Sequence, residues 1–154
     1  MGTIIVCVYS LITKPSLACL IITTIKMLTK VHHIAIICSN YQRSKIFYTE
    51  VLKLQIVREV YREDRSSYKL DLALNGEYII ELFSFPNPPK RSSKPEAQGL
   101  RHLAFQVTNL DEIIAHLDKH NIQSEHIRVD EFTNKRYTFI ADPDELPIEF
   151  YEEN

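Results

Sequence analysis

The chain has 154 residues, of which 45% are hydrophobic and 25% are charged, and these are ordinary values for a globular protein of one domain. Its formal net charge of -2 gives no basic surface for nucleic acid. Its three glycines, Gly2, Gly76 and Gly99, are too far apart to form a phosphate-binding loop. The composition therefore disfavours disordered, nucleic-acid-binding and nucleotide-binding proteins.

Residues 1–27 differ in character from the rest of the chain. They contain no acidic residue and form two apolar runs, 4–12 and 17–25, separated by Lys14-Pro15. This pair opposes a single membrane-spanning helix, and the charge pattern of a secretory signal is missing. We interpret residues 1–27 as an apolar leader outside the fold, upstream of a start at Met27. A membrane anchor and an ordered arm are the alternatives.

The chain from residue 28 onward has the pattern of a mixed α and β protein. Alternating polar and apolar side chains predict strands, in chain order, at residues 31–38, 56–62, 68–74, 78–83, around 103–107, 123–129, 136–141 and 147–151. Ser39-Asn40 offers an N-cap for a helix that runs to about Leu52, and Asn109 offers one for a helix that ends near His120. Asn75-Gly76 is typical of a hairpin turn.

Cysteine content favours a reducing compartment. Cys7 and Cys19 lie in the leader, which leaves Cys38 alone in the main body, where it cannot form an internal disulfide. Because Cys38 lies in an apolar strand, we predict a small core side chain rather than a nucleophile. We therefore expect a cytoplasmic protein.

An internal repeat organises residues 28–152. The segment 31–36 is echoed by 100–105, which pairs His33 with His102. The segment 78–83 is echoed by 146–151, which pairs Glu81 with Glu149 at almost the same interval, so both pairs share one period. The sequence therefore predicts a single α+β domain of two βαβββ modules, 28–84 and 100–152, joined by the proline-rich linker 85–99.

Strand alternation predicts where the repeated polar residues point. If the apolar side chains of each strand cover a helix, then His33, Glu81, His102 and Glu149 all lie on the opposite face of a sheet. The same alternation places His32 on the helix side, so we expect a structural role for it. The four repeated residues become candidates for one site.

Two imidazoles and two carboxylates on rigid strands can bind a divalent metal ion. A glutamate within an apolar strand costs several kcal/mol if it is buried without a partner, and a metal ion removes that cost. Nitrogen and oxygen donors without thiolate suit Zn, Ni, Co, Mn or Fe(II). The alternative is two ordinary core histidines and two solvated glutamates.

Several motifs of the chain resemble a known family. They are Val31-His32-His33-Ile34-Ala35-Ile36, Ser44-Lys45-Ile46-Phe47-Tyr48, Val51-Leu52-Lys53-Leu54, Gly99-Leu100-Arg101-His102-Leu103-Ala104-Phe105, Asp142-Pro143-Asp144 and Pro147-Ile148-Glu149. Together they resemble the vicinal oxygen chelate superfamily over about residues 28 to 152. Within it, the pattern is most similar to the glyoxalase I, or lactoylglutathione lyase-like, branch and to small YaeR-like bacterial proteins.

The resemblance implies a fold, a metal site and a reaction. In that family two modules form an open cupped mixed sheet with helices on the outer face. The ligand positions match His33, Glu81, His102 and Glu149, and the metal is one divalent ion, Ni²⁺ or Zn²⁺ first, then Co²⁺, Mn²⁺ or Fe²⁺. Glu149, with Glu81 as its near-symmetric partner, is the implied catalytic residue. Where Glu145 follows the last aspartate of its turn, the family usually has a glycine.

The implied activity is a metal-dependent lyase or isomerase that acts on a small hydroxy-carbonyl or thiohemiacetal through a metal-chelated enediolate. A homodimer is expected, and the substrate is a small molecule, with a thiol conjugate as one option. Five side chains are candidates for holding an anionic substrate, or else are surface charges: Arg62, Lys69, Asp71, Arg101 and Arg136. Epimerisation, thiol transfer, dioxygenation and non-catalytic binding of a metal or small molecule remain as alternatives.

Overall fold

The computed structural model describes residues 27–153, so the interpretation of the leader lies, apart from Met27, outside the described residues. The chain divides into two compact units, Met1–Val31 and His32–Asn154. Of the first unit only residues 27–31 are described, and they form no helix or strand. The second unit contains all of the secondary structure described here. No helix between residues 27 and 153 is long and apolar enough to cross a membrane.

The second unit follows the order βαβββ twice. Its first half consists of β1 (Ile34–Cys38), α1 (Tyr41–Ile46), a π-helical turn (Phe47–Val51), β2 (Gln55–Arg62), a 3-10 turn (Glu63–Arg65), β3 (Ser67–Leu74) and β4 (Glu77–Ser84). Its second half consists of β5 (Leu103–Val107), α2 (Leu110–Lys119), β6 (Arg128–Val129), β7 (Arg136–Ala141) and β8 (Pro147–Glu152). The segment between β4 and β5, which contains the predicted linker, has no helix or strand.

The strands form two four-stranded mixed sheets with the same topology. Their orders are β1-β4-β3-β2 and β5-β8-β7-β6. In each sheet the first strand of the module runs parallel to the last, and the other neighbours are antiparallel. The predicted α+β class and the duplicated βαβββ order are therefore confirmed.

The local signals in the sequence account for the ends of these elements. The Asn40 side chain accepts a hydrogen bond from the Arg43 amide, and the Asn109 side chain accepts bonds from the amides of Asp111 and Glu112. Both asparagines thus satisfy free amides at a helix start, as predicted. Between β3 and β4, the predicted turn Asn75-Gly76 has φ values of 51° and 81°, as a two-residue hairpin requires.

Two strands are shorter than predicted. β1 begins at Ile34, so His32 and His33 precede it. β6 contains only Arg128 and Val129, although a strand from residue 123 was expected. The Glu125 carbonyl accepts a hydrogen bond from the Thr138 hydroxyl at 2.7 Å. The Glu125 amide in turn donates to the Phe139 carbonyl at 2.8 Å, so residues 123–127 contact β7 through these two bonds rather than through a continuous ladder.

One hydrophobic cluster fills the unit and draws side chains from both modules. Its fully buried members include Leu70, Leu72, Ile80, Leu82, Leu110 and Ile148. Cys38 also belongs to it, as predicted, and burial raises the pKa of its thiol to about 11. At the junction of the modules the Tyr48 hydroxyl donates to Asp142 Oδ2 at 2.9 Å, in a buried position.

Candidate metal centre

Glu81 and Glu149 lie on β4 and β8, which are inner strands paired on both sides. Glu81 on β4 is opposite Ala35 on β1 and Asp71 on β3. Glu149 on β8 is opposite Ala104 on β5 and Phe139 on β7. Their chain neighbours on both strands are apolar and largely buried, so alternation turns both carboxylates to the face away from the core, as predicted. Their side chains are only 16% and 13% exposed.

Each glutamate meets the histidine of its own module. His33 Nε2 lies 3.2 Å from Glu81 Oε2, and we call these two residues the N-terminal pair. His102 Nε2 lies 3.0 Å from Glu149 Oε2, and we call these the C-terminal pair. A metal ion holds such donors at about 2.0–2.2 Å, which puts two neighbouring ligands about 3 Å apart. Both pairs therefore match the spacing of adjacent ligands on one metal.

The two pairs do not meet within the described part of the chain. Residues 27–153 contain no group of three or more histidine, cysteine, aspartate or glutamate side chains placed to hold a metal ion. The reason is the shared core: each sheet buries its other face in the same hydrophobic cluster. The faces that carry the pairs are therefore both turned away from that cluster. The structure therefore brings His33 to Glu81 and His102 to Glu149, and it does not bring these two pairs together.

A network of charged side chains surrounds Glu81. Lys69 Nζ lies 2.6 Å from Glu81 Oε1 and 2.5 Å from Asp71 Oδ1. Arg58 donates to the other oxygen of Asp71 from both Nε and Nη2, at 2.8 and 2.6 Å. Burial acts to raise the pKa of Glu81, but hydrogen bonds from Lys69 and Tyr78 outweigh it, and the pKa is lowered. Glu81 is thus held as an anion.

Asp71 is the buried centre of this network. It is only 2% exposed, although it carries a charge. Burial acts to raise its pKa, but the hydrogen bonds from Lys69 and Arg58 outweigh burial, so the pKa of Asp71 lies below its usual value. A carboxylate in this position fixes where the Lys69 ammonium lies.

Sequence reasoning missed two aromatic neighbours of the N-terminal pair. The Tyr78 ring stacks on His33 with centroids 5.3 Å apart, and His32 contacts both rings edge-on. His32 was expected on the opposite face, and that expectation was wrong. Because β1 begins only at Ile34, strand alternation does not apply to His32. The position of Tyr78 at the start of the strand that carries Glu81 could have indicated that its ring lies near the N-terminal pair.

The surroundings of Glu149 are different in kind. The His102 ring packs edge-on against Phe139 with centroids 5.4 Å apart, and Arg101 Nη1 lies 3.3 Å from His102 Nδ1. Both members of the C-terminal pair line a cavity of about 950 Å³, together with Tyr137 and side chains of the segment 91–96. Among the described residues, only His102 forms an ion pair with Glu149.

Of the other side chains predicted to bind an anion, three lie near a His–Glu pair and one does not. Arg62 and Lys69 lie on the same sheet as the N-terminal pair, and Arg101 lies beside the C-terminal pair. Arg136 instead binds Glu152, whose pKa falls to about 2 chiefly because of that hydrogen bond. Glu152 in turn accepts the Leu110 amide at the start of α2, so Arg136 supports the helix.

Comparisons with known proteins agree with this architecture. Residues 30–150 match the family described as Glyoxalase/Bleomycin resistance protein/Dioxygenase superfamily. The protein YaeR of Escherichia coli (strain K12) is 60% identical over 126 residues, which are 82% of this chain and 98% of that protein.

Solved structures share the fold. That of a glyoxalase family protein from Enterococcus faecalis has a TM-score of 0.74 and 47% identity, and the match covers 80% of this chain and 97% of that one. A variant of the fosfomycin resistance protein FosX from Listeria monocytogenes, in complex with Mn(II), has a TM-score of 0.64 at 15% identity, covering 83% and 95% of the two chains. This last likeness concerns the fold alone. On the family match and the similarity to the Escherichia coli and Enterococcus faecalis proteins, the chain belongs to the Glyoxalase/Bleomycin resistance protein/Dioxygenase superfamily.

Proposed function

We propose that the protein is a metal-dependent enzyme of the glyoxalase type, a lyase or isomerase whose substrate is a small hydroxy-carbonyl compound or a thiohemiacetal. The observation that carries the proposal is the pair of His–Glu contacts at 3.2 and 3.0 Å, each spaced like adjacent metal ligands. His33, Glu81, His102 and Glu149 would hold one divalent ion, with Ni²⁺ or Zn²⁺ preferred and Co²⁺, Mn²⁺ or Fe²⁺ as alternatives. When bound, the ion supplies Lewis acidity toward two adjacent oxygens of the substrate.

The two glutamates take unequal roles in this proposal. Glu81 contacts Lys69, which keeps its carboxylate charged and so ready to bind a cation. Glu149 has no such contact, since His102 is its sole ion-pair partner among residues 27–153. A carboxylate that can turn between a ligand position and the substrate is suited to moving a proton between neighbouring carbon atoms. Glu149 is therefore the general base, and Glu81 is the second candidate.

A second copy of the chain completes the site in this proposal. Because the two pairs lie on faces turned away from one shared core, a single chain offers two donors at each place. In a homodimer, the N-terminal pair of one copy can meet the C-terminal pair of the other. Four protein ligands from two chains then surround one ion, and each dimer has two such sites.

Mixed dimers test this arrangement. One variant carries His33→Ala and Glu81→Ala, and the other carries His102→Ala and Glu149→Ala. Each homodimer of these variants has only half of the ligands at every site, whereas a dimer of one chain of each has one complete site. We expect one metal ion per mixed dimer and nearly none in either homodimer, measured by plasma mass spectrometry on differently tagged chains. Equal loss of metal in all three dimers would contradict a shared site.

Metal content of the full chain, purified without a polyhistidine tag or chelators, is the first measurement. About one divalent ion per chain supports the proposal, and turnover of the thiohemiacetal of methylglyoxal would identify the reaction. If no ion is taken up from a panel of Ni²⁺, Zn²⁺, Co²⁺, Mn²⁺ and Fe²⁺, the proposed metalloenzyme is wrong. If the ion binds and its removal unfolds the chain, while no α-hydroxycarbonyl or thiohemiacetal reacts, a non-catalytic binding protein is favoured.

A further inference from the structure

Two cations of the first sheet, Lys69 and Arg62, have less than a full balancing charge once Glu81 binds a metal ion. Arg58 and Asp71 neutralise one another through two hydrogen bonds. Glu81 balances Lys69 only while its carboxylate is free of metal. Arg62 forms no ion pair with any carboxylate of residues 27–153, and its guanidinium donates to the neutral Ser67 hydroxyl. Binding of a metal ion to Glu81 therefore leaves an excess of positive charge on this face.

Cross-strand register places these cations on the face that carries Glu81. Lys69 on β3 is opposite Phe83 on β4, two positions from the pairing of Asp71 with Glu81. Arg62 on β2 is opposite Ser67 on β3, two positions from Lys69. Side chains of paired residues and of residues two apart point to the same face. Across this face of the sheet, Lys69 therefore lies next to Glu81, and Arg62 lies beyond Lys69.

Both cations lie within about 6 Å of the centroid of one aromatic ring, that of Phe83. The Arg62 guanidinium carbon lies 4.8 Å from the centroid of Phe83 and 5.5 Å from that of Phe85. Lys69 Nζ lies 5.9 Å from the Phe83 centroid. Stacking on two rings restricts the guanidinium, and the contact with Asp71 restricts the ammonium, so both donors are pre-oriented. We call Arg62 and Lys69 the cationic patch.

The second module has a counterpart of Arg62 in Arg128, whose guanidinium carbon lies 5.1 Å from the centroids of Tyr137 and Phe139, but it has no counterpart of Lys69 and Asp71. At the positions that correspond to Lys69 and Asp71 it carries Tyr137 and Phe139, which are opposite Tyr151 and Glu149. The duplication therefore kept the ligand positions in both halves and placed the lysine and its buried aspartate in one half alone. If this lysine and its buried aspartate served metal binding in general, we would expect such a pair in both modules. Because the pair occurs in one module alone, we infer that it contacts one end of an asymmetric ligand.

We propose that the cationic patch is an anion subsite, and that the substrate carries a carboxylate, phosphonate or phosphate group next to its two chelating oxygens. This inference rests on the proposed function, since the chelating oxygens require the metal. Lys69 keeps its contact with Asp71 and donates to the anion in place of Glu81. Arg62, which contacts the same Phe83 ring, donates to the same anion with the planar donor geometry that suits oxyanions.

Hydroxamates of matched structure test the subsite on the metal-loaded full chain. Acetohydroxamate offers two adjacent oxygens and no further charge. Phosphonoacetohydroxamate and malonic acid monohydroxamate offer the same two oxygens with a phosphonate or a carboxylate beside them. Isothermal titration calorimetry gives the three dissociation constants without any need for turnover. We expect at least one of the charged compounds to bind about 10-fold or more tightly than acetohydroxamate, and the better of the two identifies the anion.

Variants separate the subsite from the metal. In Arg62→Met we expect the preference for the charged hydroxamate to fall about 10-fold, with the affinity for acetohydroxamate kept within about 3-fold. In Lys69→Met we expect the same fall in preference, measured as the ratio of the two dissociation constants of that variant. Lys45→Met is the matched control: this lysine is 24% exposed against 21% for Lys69 and contacts Glu59 at 2.6 Å. Its preference should equal that of the wild type. Two separate variants keep the test decisive if one of them folds poorly.

The outcomes distinguish the inference from the proposed function. If acetohydroxamate binds the metal-loaded chain but neither charged compound binds more tightly, the anion subsite is wrong and the metalloenzyme stands. The subsite is also wrong if both variants keep the wild-type preference. If the metal binds and none of the three hydroxamates does, both the chelating function and the subsite built on it are wrong.

Discussion

The two modules share a topology and a His–Glu pair, yet they surround their glutamates in different ways. In the first module Glu81 is opposite Asp71, and Lys69 contacts both carboxylates. In the second module Glu149 is opposite Phe139, and the His102 ring packs on that phenyl ring. The first half surrounds its glutamate with ion pairs, and the second half surrounds it with aromatic rings on which Arg128 stacks. The contrast indicates that the repeat preserved the two His–Glu contacts, while the cross-strand neighbours of the glutamates diverged.

We expect the largest effect, on turnover, when each of the two glutamates is replaced by glutamine in a separate variant. Glu149→Gln should keep a metal ion and lose turnover by about 100- to 10,000-fold, because an amide cannot accept the proton. Glu81→Gln should weaken metal binding more than it lowers turnover per bound ion, because a neutral amide oxygen binds a divalent cation more weakly than a carboxylate does. Steady-state kinetics with metal content measured on the same samples checks both. Equal kinetic losses in the two variants would remove the functional difference between the modules.

The half with the ion pairs should also be distinguished by its contribution to stability. Asp71→Asn removes a buried charge that accepts hydrogen bonds from Arg58 and Lys69, so we expect the free energy of unfolding to fall by about 1–3 kcal/mol. Urea denaturation measures the change. Asp118→Asn, at an exposed position of α2, is the control and should change stability by less than about 0.5 kcal/mol.

The same variant has a predictable pH dependence. The pKa of Asp71 is lowered in the folded protein, so its charge stabilises the fold at pH values above the unfolded pKa of about 3.9. That stabilisation is lost as the pH falls through the lower, folded pKa. The difference in stability between wild type and Asp71→Asn should therefore be constant from pH 7 to pH 5 and shrink below about pH 4. A difference that grows on acidification would contradict the role of Asp71 as a paired anion.

The helices of the two modules offer a second contrast, at their junction. Tyr48 in the first module donates to the buried Asp142 of the second, and the matching position of the second module holds the apolar Leu117. Tyr48→Phe leaves an oxygen of Asp142 without this donor, so we expect a loss of about 1–2 kcal/mol in a thermal or urea melt. Tyr41→Phe, whose hydroxyl donates to the exposed Glu59, should cost less than half as much. Equal losses would mean that the buried bond does not hold the modules together.

Much of this organisation could be predicted from the sequence, because period-two alternation and capping residues act locally. The order of strands and helices along the chain, the helix starts at Asn40 and Asn109, the buried Cys38 and the outward faces of Glu81 and Glu149 follow from such patterns. The ion network around Asp71 does not follow from them. β2 shifts register at a bulge between Ile56 and Arg58, and this shift sets Arg58 opposite Asp71. Bulges have no reliable local signature, so that partner needed the structure.

The separation of the four predicted ligands into two pairs also needed tertiary information. Alternation establishes which face of a strand a side chain occupies, but it does not establish how two sheets pack. Here both sheets cover the same hydrophobic cluster, and this packing determines that the pairs face outward. The short β6 has a similar cause, because residues 123–127 contact β7 through two hydrogen bonds of Glu125 rather than through a continuous ladder. Non-local contacts account for each of these differences.

The smallest expected effect concerns the turns that lead into β4 and β8. Gly76 has a φ of 81°, and Glu145, at the matching place of the second module, has a φ of 69°. A positive φ destabilises a residue with a Cβ atom by about 1–2 kcal/mol. A glycine instead raises the conformational entropy of the unfolded chain, which costs about 0.4–1 kcal/mol of stability. Glu145→Gly should therefore stabilise the protein by about 0.5 kcal/mol, seen as a slightly higher melting temperature, whereas Gly76→Ala should lower it.

The hydrophobic cluster that both modules share has a consequence for folding. Neither module encloses its own apolar side chains: Leu70, Leu72 and Ile80 of one half and Leu110 and Ile148 of the other are fully buried in a single cluster. A half-chain would expose this surface to water, so neither half is expected to fold alone. Although the sequence is a duplication, residues 32–153 should unfold as one cooperative unit, with a single transition in calorimetry. The two ancestral halves have become thermodynamically inseparable.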